Sequence, residues 1–471
     1  MKHKHIKYLA IVIASSLLYS CKKELNVFPT TSEVDGNVIV DTKSATTVLN
    51  GVYYRFANSG VDNNSVPTVL WTQVNETLPS ELANSLKSSS GDDGIYTLSF
   101  NSKTTLVPYI WDYGYALVNA ANGFIKNASP VTTIPAATKT QMLAEARFLR
   151  AFGNSELLLY YGQYYDPASK YGIILRNEFV SADNINLPRT SVAATYASIL
   201  GDLDTAIVGL PAQNSAIYYA NASAAKLLKA RVLINRGAAG DYAEVISLTN
   251  DVITNGPFAL EDSVKDIFLT KGFSSKEVIL GVQPYPTETY KYQQNQYYDQ
   301  YPVSSAMISL LVNDPRNQWY YHYATNRKAN QLDKYYSGNA NSILQTPLSE
   351  YCYAFRLTEA YLLEAEAITL SNGDLSVAKT LLETVESHAG IKDFTAITNA
   401  STPAALQLLI VEEEMKNFLS ENGADWFALR RLPFATAQTL QPALKSVNQL
   451  ILPIPYTETS INNQIIQNPG D

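Results

Sequence analysis

The chain has 471 residues, 46% of them apolar and 17% charged, so it can bury a large core and lies far from the composition of a disordered segment. Its formal net charge of -8 does not suit a nucleic-acid partner. Two cysteines in such a length rule out a disulfide-built scaffold.

The first twenty residues differ in kind from the rest. Lys2, Lys4 and Lys7 form a basic start, Tyr8 to Leu18 is an apolar stretch, and Leu18-Tyr19-Ser20-Cys21 closes it. The stretch is too short to span a bilayer comfortably and reads as a secretory signal over residues 1–20. Small Ser20 before Cys21 resembles a bacterial lipobox, which makes Cys21 the expected lipidation site and N-terminus of a body over 21–471. A bulky Tyr19 departs from that pattern. Several acyl chains on one cysteine suffice for stable anchoring. Losing three lysines and no acid takes the net charge from -8 to -11. Cys352 is then the lone thiol, expected as a small buried residue.

No long Gly/Ser or Pro-rich run divides the body. It is read as one composite unit, an N-terminal helical half to about residue 260 and a C-terminal half from about 261. Residues 60–110 mix Gly, Ser, Asn and Pro with scattered aromatics and are expected to be irregular. Gln141–Tyr161 reads as a long helix whose Ala146, Ala151 and Gly153 admit a close neighbour. Tyr196, Ile199, Leu200, Leu203, Ala206, Ile207 and Leu210 share one helical face that Pro211 closes. Residues 221–236 and the helix opened by Asp241 with Glu244, ended by Gly256-Pro257, predict a helix hairpin. Residues 283–341 break the helical period: this Tyr-, Gln- and Asn-rich insert holds eleven of the 32 tyrosines. Residues 354–370 and 376–389 predict a second hairpin about Asn372-Gly373. Leu408, Val411, Met415, Phe418 and Leu419 form a core face, with Glu412–Glu414 expected on the solvated side and Glu412 placed to pair with Lys416. Leu450–Pro455 is extended, since proline forbids helix there. The fold class is therefore mostly α, a tetratricopeptide-like helix-hairpin scaffold with long irregular loop segments and little sheet.

Several landmarks then fall in an order that resembles the SusD/RagB family across nearly the whole body. Ala144 to Phe152 (AEARFLRAF) is similar to the family's "eArfLRA" helix, and Trp111 with Asn119, Ala120 and Asn122 to its tryptophan-to-"aN" helix. Arg189-Thr190-Ser191, Asp202-Leu203-Asp204, Leu210-Pro211 and Asp314-Pro315-Arg316 match further landmarks. Arg356 to Ala367 resembles "yRlaEvyLlyAEA". Pro453-Ile454-Pro455, Glu458, Asn462 and Gln467-Asn468-Pro469-Gly470 resemble the closing pattern. Glu412-Glu413-Glu414-Met415 and Asn422 to Phe427 depart from it, and that leaves the usual ion pairing of the late helix open. The resemblance implies a helical-repeat lipoprotein, anchored to the outer membrane and exposed at the cell surface. Its implied partner is a SusC-type TonB-dependent transporter, to which it presents oligosaccharides or, in some members, peptides.

Chemistry is sparse. Nucleophile elbow, His-Glu-x-x-His, phosphate loop and Gly-x-Gly-x-x-Gly are all missing from the sequence. His322 and His388 lie far apart in the body, so no transition-metal site and no cofactor is expected. Asp202 with Asp204, or Asp92 with Asp93, offer oxygens to calcium, but neither pair resembles a complete loop. The chain is expected not to be an enzyme. Aromatic faces stack on the C–H faces of sugar rings while phenol, Asn and Gln groups reach hydroxyls. Trp71 and Trp319, with Tyr297, Tyr298, Tyr320 and Tyr321, are the candidate ligand platform, whereas Trp111 and Trp426 belong to the core. A peptide- or protein-binding repeat scaffold is the alternative function, and a surface hydrolase a third.

Overall fold

The computed structural model describes residues 38–59, 69–89, 94–283, 291, 300–339 and 342–470. The proposed signal, Cys21, Asp92, Asp93, Tyr297 and Tyr298 lie outside them. Among the described residues no helix is long and apolar enough to cross a membrane.

The architecture is mostly helical. Its principal helices are α1 (Thr42–Ala57), α2 (Val107–Ala128), α3 (Ala136–Tyr161), α4 (Val192–Gly209), α5 (Ala222–Arg236), α6 (Asp241–Asn255), α7 (Leu357–Leu370), α8 (Leu375–His388), α9 (Pro403–Asn417), α10 (Ala424–Leu429) and α11 (Phe434–Leu440). From α2 to α8 each helix packs on the next, as stacked hairpins do. The stack is not interrupted where the chain is: α6 lies directly against α7, although 101 residues, 256 to 356, separate them in sequence. Everything between is an excursion from a continuous solenoid, and it returns to the same stacking position.

Local chemistry sets the ends of these helices. Asp41 and Ser44 form a reciprocal capping box at α1, and Ser191, Asn221, Asp374 and Thr402 each accept a backbone N–H at a helix start. The opening of α6 differs from the sequence expectation. Gly240, at φ +89°, is the cap, and the Asp241 carboxylate reaches back to Arg236 and to the Ala238 N–H. It thereby locks the α5–α6 turn instead of capping a helix. Gly153 allows the expected close approach, since a Cβ there would stand 3.0 Å from both the Gly114 carbonyl oxygen and Val118 Cγ2.

Two expectations need correction. Residues 354–356 are not helical: Cys352–Arg356 is a buried strand, β4, antiparallel to β1 (Val278–Val282). Ala354 and Phe355 are apolar on both sides of the chain and fit a strand buried on both faces, a pattern that periodicity alone does not separate from helix. Cys352 is buried in this strand. The second correction concerns α9, which is buried nearly all round. Glu413 and Glu414 are core residues, one gripped by Arg316 and Lys416, the other by Arg431, and Lys416 pairs with Glu413, not Glu412. That settles the ion pairing the sequence left open. The Asp202 carboxylate is likewise committed to Arg147 and Arg150, and Asp204 to Lys229. Among the described residues no group of three His, Cys, Asp or Glu could hold a metal ion.

The C-terminal tail is extended as expected and its backbone is served by side chains. Gln467 donates to and accepts from Ile454, and Asn468 donates to the Tyr161 and Leu452 carbonyls. These contacts give the Gln467-Asn468 landmark its physical role.

Candidate functional site

The two irregular segments of the sequence meet. Residues 84–89 run antiparallel against 300–304, with an isolated bridge between Leu86 and Val303. Lys87 N–H donates to the Pro302 carbonyl at 2.9 Å, Ser89 N–H to Gln300 at 2.8 Å, and Ser304 N–H to Ser85 at 3.0 Å. On its other side this seam joins the hairpin of β2 (Tyr321–Ala324) and β3 (Ala329–Leu332), because Val303 N–H donates to the Asn330 carbonyl at 2.7 Å. One run of backbone hydrogen bonds thus carries the early segment, the insert and the aromatic hairpin together.

Beside the seam lies an open cavity of about 380 Å³, walled chiefly by Asn84, Tyr96, Thr97, Ser305, Ser309 and Gln441. Not one lining residue is acidic or basic. The wall is held from behind: the Asn84 amide donates to the Leu440 carbonyl and the Gln441 amide to Leu82, both at 2.8 Å. Asn84 adopts φ +61°, and Leu98, next to Thr97, adopts φ +50°. Asparagine tolerates that conformation because its short side chain bonds locally, but for leucine it is a backbone strain. It persists because Leu98 is buried and its carbonyl accepts from the Gln449 amide at 2.7 Å. Strain of this kind gathers at ligand sites. Lys87 Nζ stands 5.3 Å from the Tyr96 ring centroid and steadies the ring.

The sequence-predicted platform divides. Trp71 is 2% exposed, wedged between Phe56 at 5.0 Å and Phe152 at 5.7 Å, and Tyr320 is fully buried. Neither presents a ring to solvent, so the structure withdraws both from a ligand face; the aromatic density that drew attention to them serves packing. Trp319 is half-buried, edge-on to Tyr320 at 4.5 Å, and Tyr321 is half-buried on β2. Strand alternation sets Tyr323, 56% exposed, on the side of Tyr321. His322 points the other way and bonds the Asp333 carboxylate at 2.6 Å. Burial raises the Asp333 carboxyl above its ordinary range, against the pull of His322. Tyr96, Tyr323 and Gln441 were not singled out from the sequence. Tyr96 sits in the irregular segment that was, and Gln441 reaches the cavity only through the tertiary fold.

What the geometry offers is a neutral surface suited to adhesion. An aromatic ring, hydroxyls and amides of no net charge surround an open space, and no nucleophile with a base or paired free acid stands in its wall.

Comparison with known proteins follows the same line. Residues 34–234 match the sequence family described as "Starch-binding associating with outer membrane". No curated protein sequence matches the chain. Among solved structures, a SusD superfamily protein from Bacteroides thetaiotaomicron superposes with a TM-score of 0.73 at 20% identity, over 91% of this chain and 100% of that one. A sugar-binding protein of Bacteroides vulgatus, so described as a proposal, gives 0.71 at 18%, over 92% and 99%. A laminarin-binding SusD-like protein gives 0.71 at 19%, over 92% and 100%. Over most of its length the chain thus shares the fold of these proteins, and its residues 34–234 carry that family's sequence pattern.

Proposed function

We propose that this chain is a SusD/RagB-type protein, a non-catalytic, surface-exposed lipoprotein that captures neutral oligosaccharides at the outer membrane and passes them to a SusC-type TonB-dependent transporter. The observation that carries the ligand class is the uncharged wall of the seam cavity, with Tyr96 set among hydroxyls and amides. A sugar ring needs an aromatic face for its C–H side and neutral polar groups for its hydroxyls. The family's description as starch-binding and the laminarin-binding relative support that class. Tyr321 and Tyr323 lie on the hairpin bonded to the same seam, Trp319 lies two residues before it, and together they extend the surface available to a longer chain. Tyr297 and Tyr298 remain candidates for the same face.

Substituting Tyr96→Ala should weaken oligosaccharide binding by about 2 kcal/mol, on the order of thirtyfold, while the melting temperature holds. Calorimetry against a panel of neutral oligosaccharides and peptides measures this. Undiminished sugar binding in the variant, or binding of peptides alone by the parent, would overturn the assignment.

Anchoring is tested separately. Cys21→Ser should release the protein from the membrane fraction while its thermal unfolding stays as in the parent, because residue 21 precedes the helical body. Retention in the detergent phase after that substitution would remove the lipobox from the argument.

A further inference from the structure

A second cavity, of about 260 Å³, opens against α11. Its wall is Tyr165, Leu432, Phe434, Ala437, Val447, Leu450 and Arg430, almost wholly apolar save for one cation. Tyr165, 36% exposed, and Val447, 48% exposed, stand at its mouth.

Arg430 is unlike the other buried arginines. Arg231, Arg316, Arg356 and Arg431 each grip a carboxylate, whereas Arg430 forms no ion pair among the described residues. Its Nη1 donates to the carbonyls of Leu159 at 2.6 Å and Leu450 at 2.8 Å. Nε and Nη2, the edge of the guanidinium that takes a carboxylate in two-pronged fashion, have no acceptor. The flat faces are occupied by rings: the guanidinium carbon lies 4.4 Å from the Tyr164 centroid, 5.1 Å from Phe427 and 5.2 Å from Trp426. Glu156 is the acid whose field reaches Arg430, and burial pushes its carboxyl up to about 8, against the pull of Arg231 and Arg430. It is therefore mostly neutral at pH 7 and supplies Arg430 with no counter-charge.

We propose that this cavity binds a small monocarboxylate with an apolar body, the carboxylate docking on the Nε–Nη2 edge of Arg430 and the body filling the space between Phe434, Ala437 and Val447. Buried donors left unmade are costly, and a desolvated guanidinium with a free fork selects a planar anion. A sugar acid fits less well, because the apolar wall would strand its hydroxyls. Nε and Nη2 are closed off from solvent, so the cavity wall must open for the acid to reach them. The ligand is a free acid or the end of a peptide with an apolar last residue. This reading is independent of the seam cavity and of the oligosaccharides assigned to it.

The test uses the whole mature chain, with phenylacetate, its neutral amide phenylacetamide, glucuronate and a short peptide ending in phenylalanine as probes, followed by calorimetry and ligand-detected NMR. Phenylacetate should bind, with the amide and glucuronate each at least about tenfold weaker, since both lose one of the two required features. The peptide arm separates the sources: tighter binding than phenylacetate assigns a chain terminus, weaker binding a free acid. Ala437→Leu should fill the cavity and reduce phenylacetate binding by about tenfold or more. Should that variant fail to fold, Val447→Asp at the exposed rim sets a negative charge at the mouth and should weaken binding similarly. Equal binding of acid and amide, tighter binding of glucuronate, no binding of either apolar acid at millimolar concentration, or insensitivity to the variant used overturns the proposal.

Discussion

Replacing Arg316 by alanine should destabilise the protein by about 3 to 5 kcal/mol, because it strands charges that no water reaches. Arg316 is fully buried; its Nε and Nη2 hold both oxygens of Asp314 at 2.9 and 2.6 Å, and Nη1 and Nη2 hold Glu413 at 2.7 and 2.8 Å. Lys416 closes the cluster on Glu413 at 3.0 Å, and Asn417 adds a hydrogen bond at the same distance. Arg316 is the largest influence holding the Glu413 carboxyl down at about 2, well below its ordinary value, in opposition to desolvation. A carboxyl depressed on folding contributes stability that is present above its unfolded pKa and is lost as pH falls through the folded one. The wild-type protein should therefore lose stability between about pH 4.5 and 2, and Arg316→Ala should lose less over that interval. Urea unfolding at pH 7 and pH 3 measures both effects. A cost under about 1 kcal/mol at pH 7 would mean that Lys416 alone suffices to neutralise the acids. The double substitution Arg316→Met with Glu413→Met should recover much of the loss, since removing a buried pair together is far cheaper than breaking it.

That cluster also marks the limit of what the sequence discloses. Asp314-Pro315-Arg316 and Glu412-Glu413-Glu414 are legible as tripeptides, but 97 residues separate Arg316 from Glu413, and no periodicity joins them. Read along α9 alone, three successive acids look like a solvated face. Only the packing of α9 between α7, α8 and α10 makes Glu413 and Glu414 core residues with buried partners. The helices themselves were legible because apolar spacing and caps are local properties. The helix from 196 to 210, the hairpin about Gly237 and the long helix ending at Tyr161 needed no distant information. Continuity of the stack from α6 to α7 was not legible, for the residues between them carry no sign that the chain comes back to where it left. The site followed the same division. Irregular composition drew attention to 60–110 and 283–341, and these segments do meet at Leu86 and Val303. Which aromatic side chains face solvent there is decided by neighbours far away in the chain, so Trp71 and Tyr320 could not be separated from Tyr96 and Tyr323 by inspection.

Trp71 makes the consequence measurable. Truncation of Trp71 to alanine should cost about 3 to 5 kcal/mol of stability, the range for a large buried aromatic whose space cannot close. The indole lies 2% exposed against Phe56 and stacks on Phe152 at an interplanar angle of 26°, and Phe56 in turn meets Phe152 edge-on at 5.0 Å. Three elements converge there: α1 brings Phe56, α3 brings Phe152, and residues 71–72 lead into the π-helical turn Gln73–Thr77. Removing the central ring leaves two rings without their shared partner, and the rigid helices on either side cannot move in to meet. A Trp71→Phe substitution keeps an aromatic face in place and should cost less than half as much as alanine. Oligosaccharide affinity, measured well below the melting temperature of the variant, should stay within about twofold of the parent, because the ring touches no solvent. Paired with Tyr96→Ala, the experiment gives opposite signatures, stability lost with binding kept in one and binding lost with stability kept in the other. Loss of sugar binding in a folded Trp71→Ala protein would return Trp71 to the ligand face and place the seam cavity second to it.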